Sequence, residues 1–136
     1  LFRAQGYGSE FSKYLDSYQS NTSVIVQIEH YLGVENIDDI LSVPGVDGFI
    51  VGPYDLSASI GLPGDFEHPQ VVELLNILEN KMVASGVVGG VHIVNSDIDI
   101  LQSKIENGYK FIAYGDDMLF LVEKLNVTKE QLAKFK

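Results

Sequence analysis

Four short β-branched runs, each followed by an amphipathic stretch, fix what this chain can fold into. The runs are Ser23–Glu29, Val46–Val51, Val87–Val94 and Lys110–Tyr114. The first is continuous in Val and Ile rather than strictly alternating, as a strand covered on both faces should be. After it, Val34, Ile37, Ile40 and Leu41 keep helical spacing until Pro44-Gly45 stops them. A long helix follows the second run, with Pro69 in its first turn, Val72, Leu75, Leu78, Met82 and Val83 as its apolar stripe, and Gly86 at its end. Ser96 with Asp99 reads as the capped start of a helix whose inner face is Ile98, Leu101 and Ile105, stopped by Asn107-Gly108. Asp116 is placed to cap a helix carrying Met118, Leu119, Leu121, Val122 and Leu125. Thr128 with Gln131 reads as a second capping box, opening a separate short terminal helix. Strands alternating with helices predict an α/β fold with a parallel sheet and right-handed crossovers.

Composition narrows the function classes. The chain has 136 residues, the size of one domain spanning 1–136, and 46% of them are hydrophobic, enough for a core. Nine Lys and Arg stand against 19 Asp and Glu, a formal charge of -10. Nucleic acid and anionic membrane surfaces are poor partners for such a chain, because both attract basic patches. The absence of cysteine excludes disulfides, thiolate catalysis and Cys-ligated zinc. No run of roughly 18 apolar residues marks a membrane span, and no signal-peptide layout occurs, so a cytoplasmic location is expected.

In parallel α/β sheets, function collects at the C-terminal ends of the strands. That rule singles out Gln27, Glu29 and His30, then Gly52 to Ser57, then Val94 and Asn95, then Tyr114, Gly115 and Asp116. Glu29 either points into the mouth of the sheet or starts the next helix, where the helix dipole favours it. Asp55 either caps a short helix over Leu56 to Ile60 or acts as a second acidic ligand. Adjacent parallel strands lie about 4.8 Å apart, so carboxylates from two neighbouring strand ends can share one small, hard cation. Two carboxylates with open water positions suit Mg²⁺ or Mn²⁺. Of the histidines, His68 is expected at the surface or as a cap. His92, inside the third run, is either a packed, hydrogen-bonded residue or a substrate contact. No lysine falls near a strand's C-terminal end, so a Schiff-base mechanism has no candidate. Neither a nucleotide-binding glycine loop, nor HExxH, nor a GxSxG elbow is present.

The segments Arg3-Ala4-Gln5-Gly6-Tyr7-Gly8, Val26-Gln27-Ile28-Glu29, Gly45 to Ser57 and His68-Pro69 resemble, in that order, the C-terminal half of the HpcH/HpaI class II aldolases, the 4-hydroxy-2-oxoheptanedioate aldolase group. The resemblance covers nearly the whole chain. It implies the C-terminal half, about four βα units, of a (β/α)8 TIM barrel. It implies cleavage of 4-hydroxy-2-oxo acids to pyruvate and an aldehyde. It implies a divalent metal, Mg²⁺ or Mn²⁺ and in some members Co²⁺, held at Glu29 and Asp55. Gln27, Gly52, Pro53 and Tyr54, with the segment containing Arg3, Gln5 and Gly6, are implied to bind substrate. The family's catalytic His and Arg lie on early strands with no counterpart here. Homo-oligomers, trimers or hexamers, are implied as well. At His92 several family aldolases carry an aliphatic residue, which points to a different substrate preference.

Two other readings stand beside this one. A citrate lyase β-like enzyme acting on an acyl-CoA thioester would share the chemistry, but Arg3 is the only arginine available for the CoA phosphates. A non-catalytic α/β module would use the same carboxylates as caps. The start at Leu1-Phe2, without an initiator Met, reads as a truncation, since a full barrel needs about 250 residues. An isolated half-barrel is expected to dimerise, to have its edges covered by a partner, or to be poorly soluble.

Overall fold

Each β-branched run forms a strand, and the four strands lie side by side in chain order. The computed structural model describes residues 2–135. Leu1 and Lys136 lie outside the described residues, as do the side chains of Ala4 and Gln19. A 3-10 turn over Arg3–Gly8 leads into α1 (Phe11–Asn21). Then come β1 (Ile25–Ile28), α2 (Tyr31–Glu35), α3 (Ile37–Ser42), β2 (Gly48–Val51) and α4 (Pro53–Ala58). The chain continues through α5 (Pro69–Ser85), β3 (Val88–Ile93), α6 (Ile98–Glu106), β4 (Phe111–Tyr114) and α7 (Asp117–Ala133). The sheet order is β1-β2-β3-β4 and every pairing is parallel. No tight hairpin can join parallel neighbours, which is why a helical crossover separates each pair.

The register sorts side chains onto two faces. Val26 and Ile28, Phe49 and Val51, Val91 and Ile93 point to the helix side, where they meet Val34, Ile37, Leu56, Leu78 and Met82. Each fully buried aliphatic or aromatic side chain there contributes roughly 1.5–3 kcal/mol. Alternate residues, Gln27, Ile50, Gly90, His92, Phe111 and Ala113, point to the other face, which is the inner face. Phe111 and Ala113 are exposed on it.

Local capping explains most helix ends. Pro69 opens α5 behind His68, whose ring accepts from the Gln70 N–H. Gly86 closes it with φ of 70°, a left-handed conformation that costs glycine nothing. Asp116 caps α7 by accepting from Met118 and Leu119. Four sequence expectations need correction. The cap of α6 is Asp97, not Ser96: its Oδ1 accepts from Asp99 and Ile100, while the Ser96 hydroxyl donates to Glu123. Thr128 opens no new helix, because its hydroxyl bonds back to the Lys124 carbonyl inside a continuous α7. The inward stripe of α5 includes Val71 rather than Val72 and Val83, which are 39% and 78% exposed. Ile98 and Ile105 of α6 face outward as well, leaving Leu101 as that helix's inner contact.

Beneath α6 a polar cluster interrupts the core. Lys104 bridges to Glu79 of α5 at 3.0 Å and stands over the Tyr109 ring, 5.2 Å from its centre. The Tyr109 hydroxyl is buried with no partner in hydrogen-bond geometry among the described residues. Burial, and then the Glu79 charge beside it, push this phenol well above its ordinary range. A folded-state value raised above the unfolded one gives stability that is complete below about pH 10 and lost as pH climbs past it. Tyr109→Phe removes the buried hydroxyl beside Glu79. The variant is expected to match or exceed the parent at neutral pH by up to about 1 kcal/mol, and to lose less stability than the parent between pH 9.5 and 11. Urea titrations across that range check both expectations.

Candidate functional site

Ile28 lies opposite Val51, Val51 opposite Val91, and Val91 opposite Ile112. One residue further along, the next row on the inner face is Glu29, Gly52, His92 and Ala113. The His92–Ala113 step is itself a strand pair, and the Gly52 N–H donates to the Ile28 carbonyl at 3.2 Å. Glu29 lies across Gly52. A Cβ added at residue 52 would stand 2.8 Å from Glu29 Oε1 and 2.9 Å from its Cγ. Gln27, two residues earlier on the same face, donates from Nε2 to Glu29 Oε1. The carboxylate is therefore held from below by an amide and from the side by a glycine that leaves it room.

Asp55 reaches the same place from α4. The cap of α4 is Gly52, which has no side chain to offer, and Pro53 occupies the first helical position. Asp55 sits in the first turn and caps nothing, so the capping alternative for this residue is set aside. Ser57 is buried and ties α4 down. Its hydroxyl donates to the Tyr54 carbonyl at 2.8 Å and accepts from the Gly64 N–H at 2.9 Å. Tyr54 packs edge-on against Phe66 with ring centres 4.8 Å apart. Ser59 accepts from the Tyr31 N–H, joining the end of α4 to the start of α2.

These elements enclose a hollow of about 260 Å³ at the C-terminal end of β1, β2 and β3. Gln27, Glu29, Gly52, Pro53, Tyr54 and Asp55 all line it, together with Ile50, Val51, His92, Val94 and Ala113. No lysine lines it. Arg3 and Gly6 line a different hollow with Glu10, Lys13 and Asn21, and Gln5 belongs to the 3-10 turn beside them. His30 caps α2 by accepting from the Leu32 N–H. Asn95 lines an adjoining apolar cleft between α5 and α6 that shares Pro53, Tyr54, His92 and Val94 with this hollow, and Asp116 is engaged as a cap. Ile50, Val51, His92 and Ala113 are the lining residues that the strand-end rule leaves out.

Among the described residues, no group of three His, Cys, Asp or Glu side chains could hold a metal ion. The donor set of the hollow is a carboxylate pair. Two hard oxygens beside open volume fit Mg²⁺ or Mn²⁺, which keep several positions for water or a chelating ligand. They do not fit zinc in a closed structural site.

The family profile described as HpcH/HpaI aldolase/citrate lyase matches residues 3–123. The chain belongs to this family. A HpcH/HpaI protein of known structure from Burkholderia cenocepacia superposes with a TM-score of 0.85 at 30% identity, covering 96% of this chain and 50% of that one. The hydroxypyruvate/pyruvate aldolase of Roseobacter denitrificans is 35% identical over 134 residues, 98% of this chain and 50% of that protein. A 2-keto-3-deoxy-L-rhamnonate aldolase of Salmonella dublin is 36% identical over 126 residues, 90% of this chain and 45% of that protein. The chain thus spans about half the length of the relatives it matches, and its four βα units are half of an eight-stranded barrel. In this HpcH/HpaI chain the Glu29 side chain leaves no room for a methyl at residue 52. Gly52→Ala is expected to cost about 1–3 kcal/mol, as an overpacked methyl does, and to break the Gln27–Glu29 hydrogen bond. A urea titration and the shift of the Gln27 side-chain amide in an NMR spectrum check this.

Proposed function

We propose that this chain provides the metal-holding side of a divalent-metal-dependent carbon–carbon lyase. The lyase would cleave 4-hydroxy-2-oxo acids to pyruvate and an aldehyde. The observation that carries the reading is the convergence of Glu29 and Asp55, from two adjacent strand ends, on one hollow that also contains Gln27. The aldolase names of the relatives support it. Glu29 and Asp55 would hold Mg²⁺ or Mn²⁺, with Co²⁺ as a substitute. The chemistry such a cation supplies when bound is Lewis-acid polarisation of the 2-oxo group.

The chain's own residues do the rest of the positioning. Gln27 occupies Glu29 Oε1 and so fixes the plane of the carboxylate. Because Gly52 offers no capping side chain, the first-turn N–H groups of Tyr54 and Asp55 are left to meet the substrate carboxylate. Pro53 fixes the entry to that turn. The hollow's volume, set against roughly 30 Å³ for one water, accommodates a short oxo acid. The histidine and arginine implied for acid–base and charge stabilisation have no matching positions in these residues, and we assign them to the complementary half of the barrel. Residues 1–136 act in this reading as one domain unit within a cytoplasmic homo-oligomer, a trimer or hexamer.

Calorimetry with Mn²⁺ and pyruvate tests the pair directly. Glu29→Gln and Asp55→Asn are each expected to weaken binding by about 100-fold or more, exceeding the effect of losing an outer-shell partner. Unchanged affinity in both variants would sink the proposal.

A further inference from the structure

We infer that His92 is a specificity residue that accepts a hydrogen bond from a hydroxyl on the substrate, beyond its 2-oxo acid end. The inference rests on the proposed function and names the substrate class the site prefers. His92 lies on the inner face of β3 and lines the same hollow as Glu29 and Asp55. In its row, only Gly52 separates it from Glu29. The two side chains therefore stand about two strand spacings apart, roughly 9.6 Å between backbones, with no side chain rising between them. Glu29 already leans over Gly52. The remaining gap is bounded by a carboxylate on one side and an imidazole on the other.

The ring chemistry sets the role. His92 Nε2 faces the Gly115 carbonyl oxygen at 3.4 Å. A carbonyl oxygen only accepts, so the proton of the neutral ring belongs on Nε2. Nδ1 is then an acceptor, and no other hydrogen bond to it is found among the described residues. The ring is only half-buried, in a hollow that Tyr54, Val94 and Ala113 also line. Val94 and Ala113 can neither donate nor accept. A ligand anchored by its oxo acid end at Glu29 and Asp55 would meet the His92 ring across Gly52, and the free ring nitrogen is an acceptor. A substrate hydroxyl, the 4-hydroxyl first of all, satisfies it. An apolar chain leaves it unpaired, and a site built to take a hydroxyl discriminates against the analogue that lacks one.

Two probes that differ only in that group provide the test: 4-hydroxy-2-oxopentanoate and 2-oxopentanoate, each titrated with Mg²⁺ into the full chain. The hydroxylated acid is expected to bind about tenfold more tightly in calorimetry. The ¹⁵N resonance of His92 Nδ1 is expected to move with it and not with 2-oxopentanoate, with His30 and His68 as stationary references. His92→Leu should bring the two affinities within about twofold while leaving that for 2-oxopentanoate unchanged. His92→Asn, which keeps an acceptor, should retain part of the preference. Thermal melts establish that both variants fold. A preference that survives in His92→Leu, or equal affinities in the parent, overturns the role of His92 alone. Failure of both acids to bind the parent in the presence of Mg²⁺ overturns the proposed function, and this inference with it.

Discussion

The contact between the Glu29 carboxylate and the bare Cα of Gly52 joins strand pairing to site geometry. It exists because Ile28 lies opposite Val51, which sets Glu29 beside Gly52 one step later. A slip of one residue in that parallel pairing would send Glu29 to the helix face and destroy the hollow. The register is in turn enforced by the core, since Ile28, Phe49 and Val51 must all remain on the buried side. Site and core are therefore two faces of one constraint.

Electrostatics works against this arrangement as much as for it. Two carboxylates in one hollow repel, and the chain as a whole carries a formal charge of -10. Within the hollow, the one side-chain donor bonded to either carboxylate is the Gln27 amide. The first-turn amides of α4 add their partial positive charge near Asp55. Neither cancels a full unit of charge, which is the electrostatic argument for the cation proposed there.

Much of this was legible in the residue order because the signals are local. Gly86, Pro69, His68 and Asp116 act within one turn of themselves, and each behaves as its side-chain chemistry dictates. Glu29 and Asp55 were reachable from the rule about strand ends, and the hollow contains both. Where two residues could compete for one role, the pattern was not enough. Ser96 and Asp97 are both capable caps, and a helix starting at Ile98 selects the second. Thr128 carries a cap's side chain, but its hydroxyl finds a carbonyl four residues back and the helix runs on. Ile50 and Ala113 escaped notice because continuous apolar runs hide the period of two that would have shown which residues face inward. Val83 and Ile98 follow helical spacing, yet neither meets the core, since spacing defines a stripe without defining what lies against it.

Gly52 is one of three inner-face glycines whose missing side chain is replaced by a neighbour's. Ile25 and Val88 close over Gly48, and Phe111 over Gly90, as Glu29 does over Gly52. At Gly48 and Gly90 a methyl would also strike a backbone carbonyl, at 2.3 Å and 2.5 Å, so those positions admit nothing larger. At Gly52 the obstruction is a side chain alone. Residues 29 and 52 are thus a single evolutionary variable. A lineage could enlarge 52 only after exchanging Glu29 for a shorter side chain, because a methyl at 52 meets the Glu29 side chain. Change at this corner of the barrel would then run in one order, residue 29 before residue 52.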